Sequence, residues 1–372
     1  MPEQRQIEQD DDGIRLDRWF KRHYPAVTHG RLEKLLRKGE VRLDGKRAKS
    51  ADRLVAGQTL RLPPQVIHDK TPAPVKQAQP VKTSRNLQDA ILYMDKNLFV
   101  LNKPAGLATQ GGSGLSEHVD GMLDQLMYEK TVRPKLVHRL DKDTSGVLLV
   151  ARTAQAAAGL SRSLASRDAS KIYWALVKGV PAEKRGLIKA ALAKEGTRGQ
   201  NERMTILDEE EEGAKFALTE YAVMGQAGQE FSWIAARPVT GRTHQIRVHL
   251  ASLGTPIIGD FKYGGTDSRG RGAIADKLHL HARSIDIARP DGGRLQVTAP
   301  LPPHMLKSWQ MLGFDPDDRR DPFPKTKTRA GALGRPAVRD EKPIRARKPP
   351  GKIKPKGPKK KSAGREIPRK KR

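Results

Sequence analysis

Cysteine is absent from all 372 residues, which excludes disulfides and thiolate metal sites outright. The N-terminal MPEQRQIEQDDD lacks the apolar run of a secretory leader, and no apolar stretch approaches membrane-spanning length. A soluble, cytoplasmic protein without a membrane partner is the expectation. No Walker loop and no G-x-G-x-x-G after a strand occurs, so a nucleotide-hydrolysing reading lacks its phosphate cradle. Acid is scarce as well: 42 Asp and Glu stand against 71 Lys and Arg, a net charge of +29. A polyanionic partner is the first inference.

The basic excess is concentrated but not confined. From Lys325 to Arg372 there are 20 Lys or Arg, 3 Asp or Glu, seven prolines and no aromatic residue, so this segment carries +17 of the total. It cannot bury enough apolar surface to offset its chain entropy, and 317–372 reads as a disordered basic tail. Without aromatics it is poorly suited to insert at a lipid surface. The other 324 residues still carry +12.

Residues 1–13 read as a disordered N-terminus and 14–63 as a small module. Leu16, Trp19, Phe20 and Tyr24 fall at helical spacing, as do Leu32, Leu35 and Leu36 before Gly39. VRLDGKRA then reads as strand, Asp44-Gly45 turn and second strand. Arg31, Lys34, Arg37, Lys38, Arg42, Lys46, Arg47 and Lys49 occupy the polar faces. The ordinary reading of such a run is a solvated helix face, but eight cations against three acids from Thr28 to Lys49 favour nucleic acid. This stretch, with GEVRLDG, resembles an S4 RNA-binding domain.

Residues 64–90 are rich in Pro, Gln and Lys without period and read as a linker. An α+β domain is expected over 91–316. Its strands are placed at Leu98–Asn102, Gly146–Ala151, Lys171–Gly179, Ala217–Val223, Phe231–Arg237 and Ser284–Ala288. Its helices are placed at Gly121–Tyr128, Thr153–Arg167 and Arg242–Leu253.

Three stretches of this domain carry chemistry. In HRLDKDTSG, Asp141 sits between Arg139 and Lys142, so its carboxylate is expected to stay ionised near neutral pH. Structural ion pair, general base and nucleophile all remain open. Asp143 stands two residues on, and a turn enforces no separation that would make the two a glycosidase pair. In KIYWALVKG, strand alternation places Ile172, Trp174 and Leu176 on one face and Tyr173 on the other, either lining a pocket or as a half-buried sheet tyrosine. In TGRTHQIRVHLASLG, Ile246, Leu250 and Leu253 form a buried stripe, with Gly254 as the residue after the cap. Arg247 lies on the adjoining stripe with His244 and Ala251. A partly buried Arg needs an acid partner, and Asp141 is the candidate. A solvent-exposed Arg247 is the ordinary alternative. His244 and His249, at i, i+5, do not share a helix face, and neither they nor His279 and His281 have a carboxylate nearby as third ligand. No metal site is assigned.

NKPAGLATQGG, HRLDKDTSG, KIYWALVKG, TGRTHQIRVH, PIIGDFKYGG and LHLHA, in this order across residues 91–305, closely resemble the RluA-type pseudouridine synthases. With the S4-like module and GGSGL, the nearest likeness is to the RluC-like branch acting on large-subunit ribosomal RNA. The resemblance implies an α+β core of mixed, largely antiparallel sheet. It implies conversion of uridine to pseudouridine in RNA, with 23S rRNA as the leading candidate, without cofactor, by a monomer. It makes Asp141 the catalytic carboxylate and Arg247 its partner, keeping it ionised and oriented. Tyr173 becomes the residue that stacks on the target base, and Arg139 the side chain that replaces a flipped base. Asp143 becomes a bystander. Two other classes stay open: a non-catalytic RNA-binding or ribosome-assembly protein, and a glycosylase that releases free uracil.

Overall fold

The computed structural model describes residues 3–24, 26–67, 85–112, 117–128, 131–197, 200–208, 211–323 and 344–345. The chain divides into two compact units, Met1–Pro80 and Val81–Arg372.

The first unit contains β1 (Glu3–Gln6), α1 (Leu16–His23), α2 (His29–Lys38), β2 (Arg42–Leu43), β3 (Lys46–Arg47), β4 (Thr59–Leu62) and a single turn, α3 (Pro64–Ile67). Thr28 caps α2 by accepting the Arg31 N–H. Leu32, Leu35 and Leu36 of α2 pack with Leu16, Trp19, Phe20 and Tyr24 into one core. Asp44 and Gly45 both have positive φ, 49° and 77°, as a two-residue turn between twisted strands requires. The four strands form an antiparallel sheet in the order β1-β4-β2-β3.

The N-terminal residues differ from expectation. Glu3–Gln6 pair with β4, Ile7 enters the core, and the buried Asp11 accepts hydrogen bonds from Trp19 Nε1 and Arg22 Nη1. Residues 3–13 are therefore part of the module. Their polar sequence conceals this, because an edge strand needs few apolar residues when its backbone hydrogen bonds hold it. Most of the expected linker, 68–84, lies outside the described residues.

The second unit is built on β5 (Ile91–Met94), β6 (Leu98–Lys103), β7 (Lys135–Leu136), β8 (Ser145–Ala151), β9 (Ser170–Lys178), β10 (Arg185–Thr197), β11 (Gln200–Leu207), β12 (Lys215–Ala227), β13 (Phe231–Pro238), β14 (Leu280–Ala288) and β15 (Arg294–Thr298). Its helices are α4 (Val119–Met122), α5 (Ala154–Ala165), α6 (Gln245–Ser252) and α7 (Pro303–Leu312). One sheet runs β11-β10-β12-β13-β9-β14-β8-β6-β5, with β15 on β14 and β7 on β8. Most pairings are antiparallel and β14–β8 is parallel, so the domain is α+β with a mixed sheet. The expected strands all form. The β10–β11 hairpin, β15 and α7 were not foreseen from the sequence.

β9 is central and buried on both faces. Trp174 and Leu176 pack against Trp233 and Trp309, whose rings lie 4.5 and 6.3 Å from Trp174 by centroid. Ala175 and Val177 are equally buried on the opposite face with Ile246 and Leu250 of α6. The single core face read from the sequence is therefore half of the picture. Each large side chain buried this way stabilises the fold by about 1.5–3 kcal/mol.

The expected start of the basic tail at residue 317 is too early. Phe323 is buried in the tryptophan cluster, and Arg185 donates to the Pro322 carbonyl. Farther on, β16 (Ile344–Arg345) pairs parallel with Ile188 and Lys189 of β10. The rest of 324–372 lies outside the described residues.

Candidate active site

Asp141 lies on the loop between β7 and β8, and that loop is pinned from below. Lys103, at the end of β6, is buried, and its Nζ donates to the carbonyls of Pro104 (2.9 Å), Leu107 (2.7 Å) and Lys142 (3.0 Å). Burial pulls its pKa down to about 7, while Asp143 and Asp141 pull the other way. The Thr109 hydroxyl donates to the Leu140 carbonyl at 2.7 Å and accepts the Leu140 N–H at 3.1 Å. At the far end, Gly146 has φ 105°, and a Cβ there would stand 2.2 Å from the Ala282 carbonyl oxygen of β14. Only glycine permits that approach. These contacts tie the loop that carries Asp141 to β6 and β14.

The two aspartates of the loop part company. Asp143 is exposed. Asp141 is half-buried, with Oδ2 3.6 Å from Arg247 Nη1 and 3.8 Å from His244 Nε2. Arg139 is exposed on the same loop.

Arg247 projects from α6, which is buried nearly all round rather than along one stripe: Gln245, Ile246, Val248, His249, Leu250 and Ala251 are all covered. Its nearest acid is not Asp141. Nε and Nη2 each donate to an oxygen of Asp260 at 2.7 Å, and the Asp260 side chain is only 1% exposed. The Tyr263 ring lies 5.0 Å beneath the guanidinium. Burial opposes the charge on Arg247, but Asp260 and then Asp141 outweigh it and raise its pKa. The sequence reading paired Arg247 with Asp141; the close pair is Arg247–Asp260, and Asp141 faces the nitrogen left over. The acid lies in PIIGDFKYGG, but no sequence rule chooses between two aspartates for one arginine.

Tyr173 stands on β9 between Ala236 of β13 and Ala282 of β14, its register partners. Two alanines leave room over the sheet for the ring, which is half-buried. Burial and then the Asp141 carboxylate raise the pKa of its hydroxyl, so the phenol stays protonated at neutral pH. Tyr173, Asp141 and Arg247 thus come together from β9, the β7–β8 loop and α6.

His244 and Tyr263 were not assigned roles in the sequence reading, and both belong here. Tyr263 Oη accepts the Met204 N–H of β11 at 3.0 Å and lies 2.6 Å from His244 Nδ1. Three further buried histidines serve the fold. His249 meets Thr219 Oγ1, His279 meets Ser308 Oγ and His281 meets Ser145 Oγ, at 2.8–2.9 Å. Burial lowers their pKa values to about 4, 4 and 3. Among the described residues no cluster of three potential metal ligands occurs, and no helix is long and apolar enough to cross a membrane.

In the first unit, Arg31, Lys34, Arg37, Lys38 and Lys46 are exposed. Arg42 is half-buried and donates to the carbonyls of Gly39 and Gly45, so it holds the hairpin as well as contributing charge.

Comparison with known proteins gives a consistent result. The family described as RNA pseudouridylate synthase matches residues 97–252. Ribosomal large subunit pseudouridine synthase C of Rickettsia conorii is 35% identical over 77% of this chain and 94% of its own. The protein of the same name from Pasteurella multocida is 37% identical over 81% and 91%. The mitochondrial RNA pseudouridine synthase 4 of Arabidopsis thaliana is 32% identical over 79% and 78%. Among solved structures, human RNA pseudouridylate synthase domain containing 4 superposes with a TM-score of 0.51 at 28% identity, over 61% of this chain and 94% of that one. The chain belongs to the RluA-type family of RNA pseudouridine synthases, isomerases acting on RNA.

Proposed function

We propose that this enzyme isomerises uridine to pseudouridine in large-subunit ribosomal RNA, with Asp141 as the nucleophile. The observation that carries the assignment is the position of Asp141. One carboxylate oxygen faces Arg247 Nη1 at 3.6 Å, and that arginine is itself locked to a buried acid. The substrate class follows the large-subunit enzymes to which the chain is similar.

The reaction breaks the N1–C1′ bond, turns the freed uracil and forms a C5–C1′ bond. A proton leaves C5 and N1 gains one, so RNA mass is unchanged. Asp141 attacks either C1′ of the ribose or C6 of the base, and the bond it forms must break again. Arg247 opposes the negative charge before attack and after release. Tyr173 stacks on the base through its ring, and its hydroxyl assists removal of the C5 proton. Arg139, exposed on the same loop, fills the space left by the flipped nucleotide. The S4-like module and the basic C-terminal segment contribute phosphate contacts that raise affinity without reading bases. The enzyme acts as a cytoplasmic monomer.

The test is Asp141→Asn in the full-length protein with large-subunit rRNA. Pseudouridine formation should vanish while RNA affinity stays within a few-fold, because affinity rests mainly on phosphate contacts. Retained turnover overturns the nucleophile assignment. Release of free uracil by the unaltered enzyme would instead indicate a glycosylase.

A further inference from the structure

Asp141 Oδ2 has two side-chain nitrogens within 4 Å, and the second belongs to His244. His244 immediately precedes α6 with a left-handed backbone, φ 52° and ψ 19°, an uncommon conformation for a non-glycine residue. Its ring reaches both ways: Nδ1 lies 2.6 Å from Tyr263 Oη, and Nε2 lies 3.8 Å from Asp141 Oδ2. The Tyr263 oxygen already accepts the Met204 N–H, which leaves its own proton to be donated to His244 Nδ1, the ring nitrogen within reach. Burial lowers the pKa of His244 against the pull of Asp141, which favours the neutral ring. A neutral imidazole accepting at Nδ1 carries its single proton on Nε2, the nitrogen facing Asp141.

We propose that His244 is a positioning residue for Asp141, presenting an Nε2–H whose tautomer and direction are set by Tyr263. The donor stabilises Oδ2 when it bears charge, before it attacks and again when its bond to the substrate breaks and the electron pair returns to the carboxylate. Arg247 supplies the charge, and His244 supplies a second directional contact. The assignment rests on the reading of Asp141 as the reacting carboxylate.

Two substitutions separate this role from a merely structural one. The amide nitrogen of Gln reaches the position of imidazole Nε2, so His244→Gln keeps a donor toward Asp141 and loses the acceptor for Tyr263. The shorter Asn amide falls near Nδ1, so His244→Asn keeps a partner for Tyr263 and tolerates positive φ well, but cannot reach Asp141. The single-turnover rate of pseudouridine formation should fall about tenfold or more in His244→Asn and distinctly less in His244→Gln, with RNA Kd unchanged. Thermal stability should follow the opposite order. Tyr263→Phe should slow turnover in the parent chain and add nothing in the His244→Asn background. A fast His244→Asn with a slow His244→Gln, or additive losses with Tyr263→Phe, overturns the proposal. An inactive Asp141→Asn beside parental rates in both His244 variants overturns this inference alone. An active Asp141→Asn removes the reading beneath it.

Discussion

The Arg247 guanidinium spends two of its nitrogens on Asp260, at 2.7 Å each, and turns the third toward Asp141 at 3.6 Å. A rigid fork divided in this way fixes one contact with the other. Asp260→Ala should destabilise the protein by about 3–5 kcal/mol, because Arg247 is left buried without its close counter-charge. Turnover should fall too, as Nη1 loses its aim. Asp141→Asn, by contrast, should leave stability nearly unchanged. Arg247→Lys should be poorly active despite its retained charge, since an ammonium cannot make two parallel bonds to Asp260 and still face Asp141. Denaturant unfolding and turnover of the three variants check the scheme, and near-parental activity for Arg247→Lys would sink it.

Substitutions at Tyr173 test the proposed stacking and proton-transfer roles separately. Tyr173→Phe keeps a ring between Ala236 and Ala282 but removes the hydroxyl, so turnover should drop with RNA binding near normal. Tyr173→Leu should also weaken productive base insertion, by about 1–3 kcal/mol where stacking is lost. Equal and small effects from both would reduce Tyr173 to a sheet residue.

Stability should decline with acid in a defined window. His249, His279 and His281 have folded-state pKa values of about 4, 4 and 3, lowered by burial. An unfolded histidine titrates near 6.5, so between roughly pH 6.5 and 4 the unfolded chain binds more protons than the native one. Stability is therefore full above about pH 6.5 and lost as pH falls, by up to ~1.4 kcal/mol per pH unit for each histidine. Urea midpoints at pH 7 and pH 5 measure the loss. In His249→Gln the slope should shrink by up to one proton, and an unchanged slope would contradict the assignment.

The basic face of α2 should reveal itself through salt. Arg31, Lys34 and Lys38 are exposed at i, i+3 and i+7, along the edge of the stripe of buried leucines. Replacing all three by Gln should weaken RNA binding most at low ionic strength. The slope of log K against log salt should fall by about 0.7–0.9 for each phosphate that is no longer neutralised. The set of modified uridines should stay the same. An unaltered slope would return this face to an ordinary solvated helix surface.

Local order determines what can be read from the chain alone. The Asp44-Gly45 hairpin, the strands Leu98–Lys103 and Ser145–Ala151, and α5 follow from turn chemistry and periodicity within a few residues. The family resemblance borne by the motif stretches brought Asp141, Tyr173 and Arg247 to one expected site, which their residue types and spacing alone left open. The β10–β11 hairpin escaped the sequence reading because LIKAALA (Leu187–Ala193) holds three alanines, which disfavour strand, and shows no clean alternation of apolar and polar residues before it pairs with β12. The N-terminal strand escaped it for a similar reason, since its partner β4 lies more than fifty residues away.

Which acid holds Arg247 was decided by the tertiary structure. Asp141 and Asp260 are separated from Arg247 by 106 and 13 residues, and both are compatible with it in sequence. The choice depends on where α6 ends and how the turn over 257–263 folds back upon it, with Asp260 accepting from Arg247 and from the Tyr263 N–H. The same turn delivers the Tyr263 hydroxyl to His244, and Lys103 fixes the Asp141 loop through three backbone carbonyls. Carbonyls carry no side-chain identity, so hydrogen bonds of that kind leave no trace in the sequence. They exist only once distant segments are packed together, and they become selective there because water is no longer available as the alternative partner.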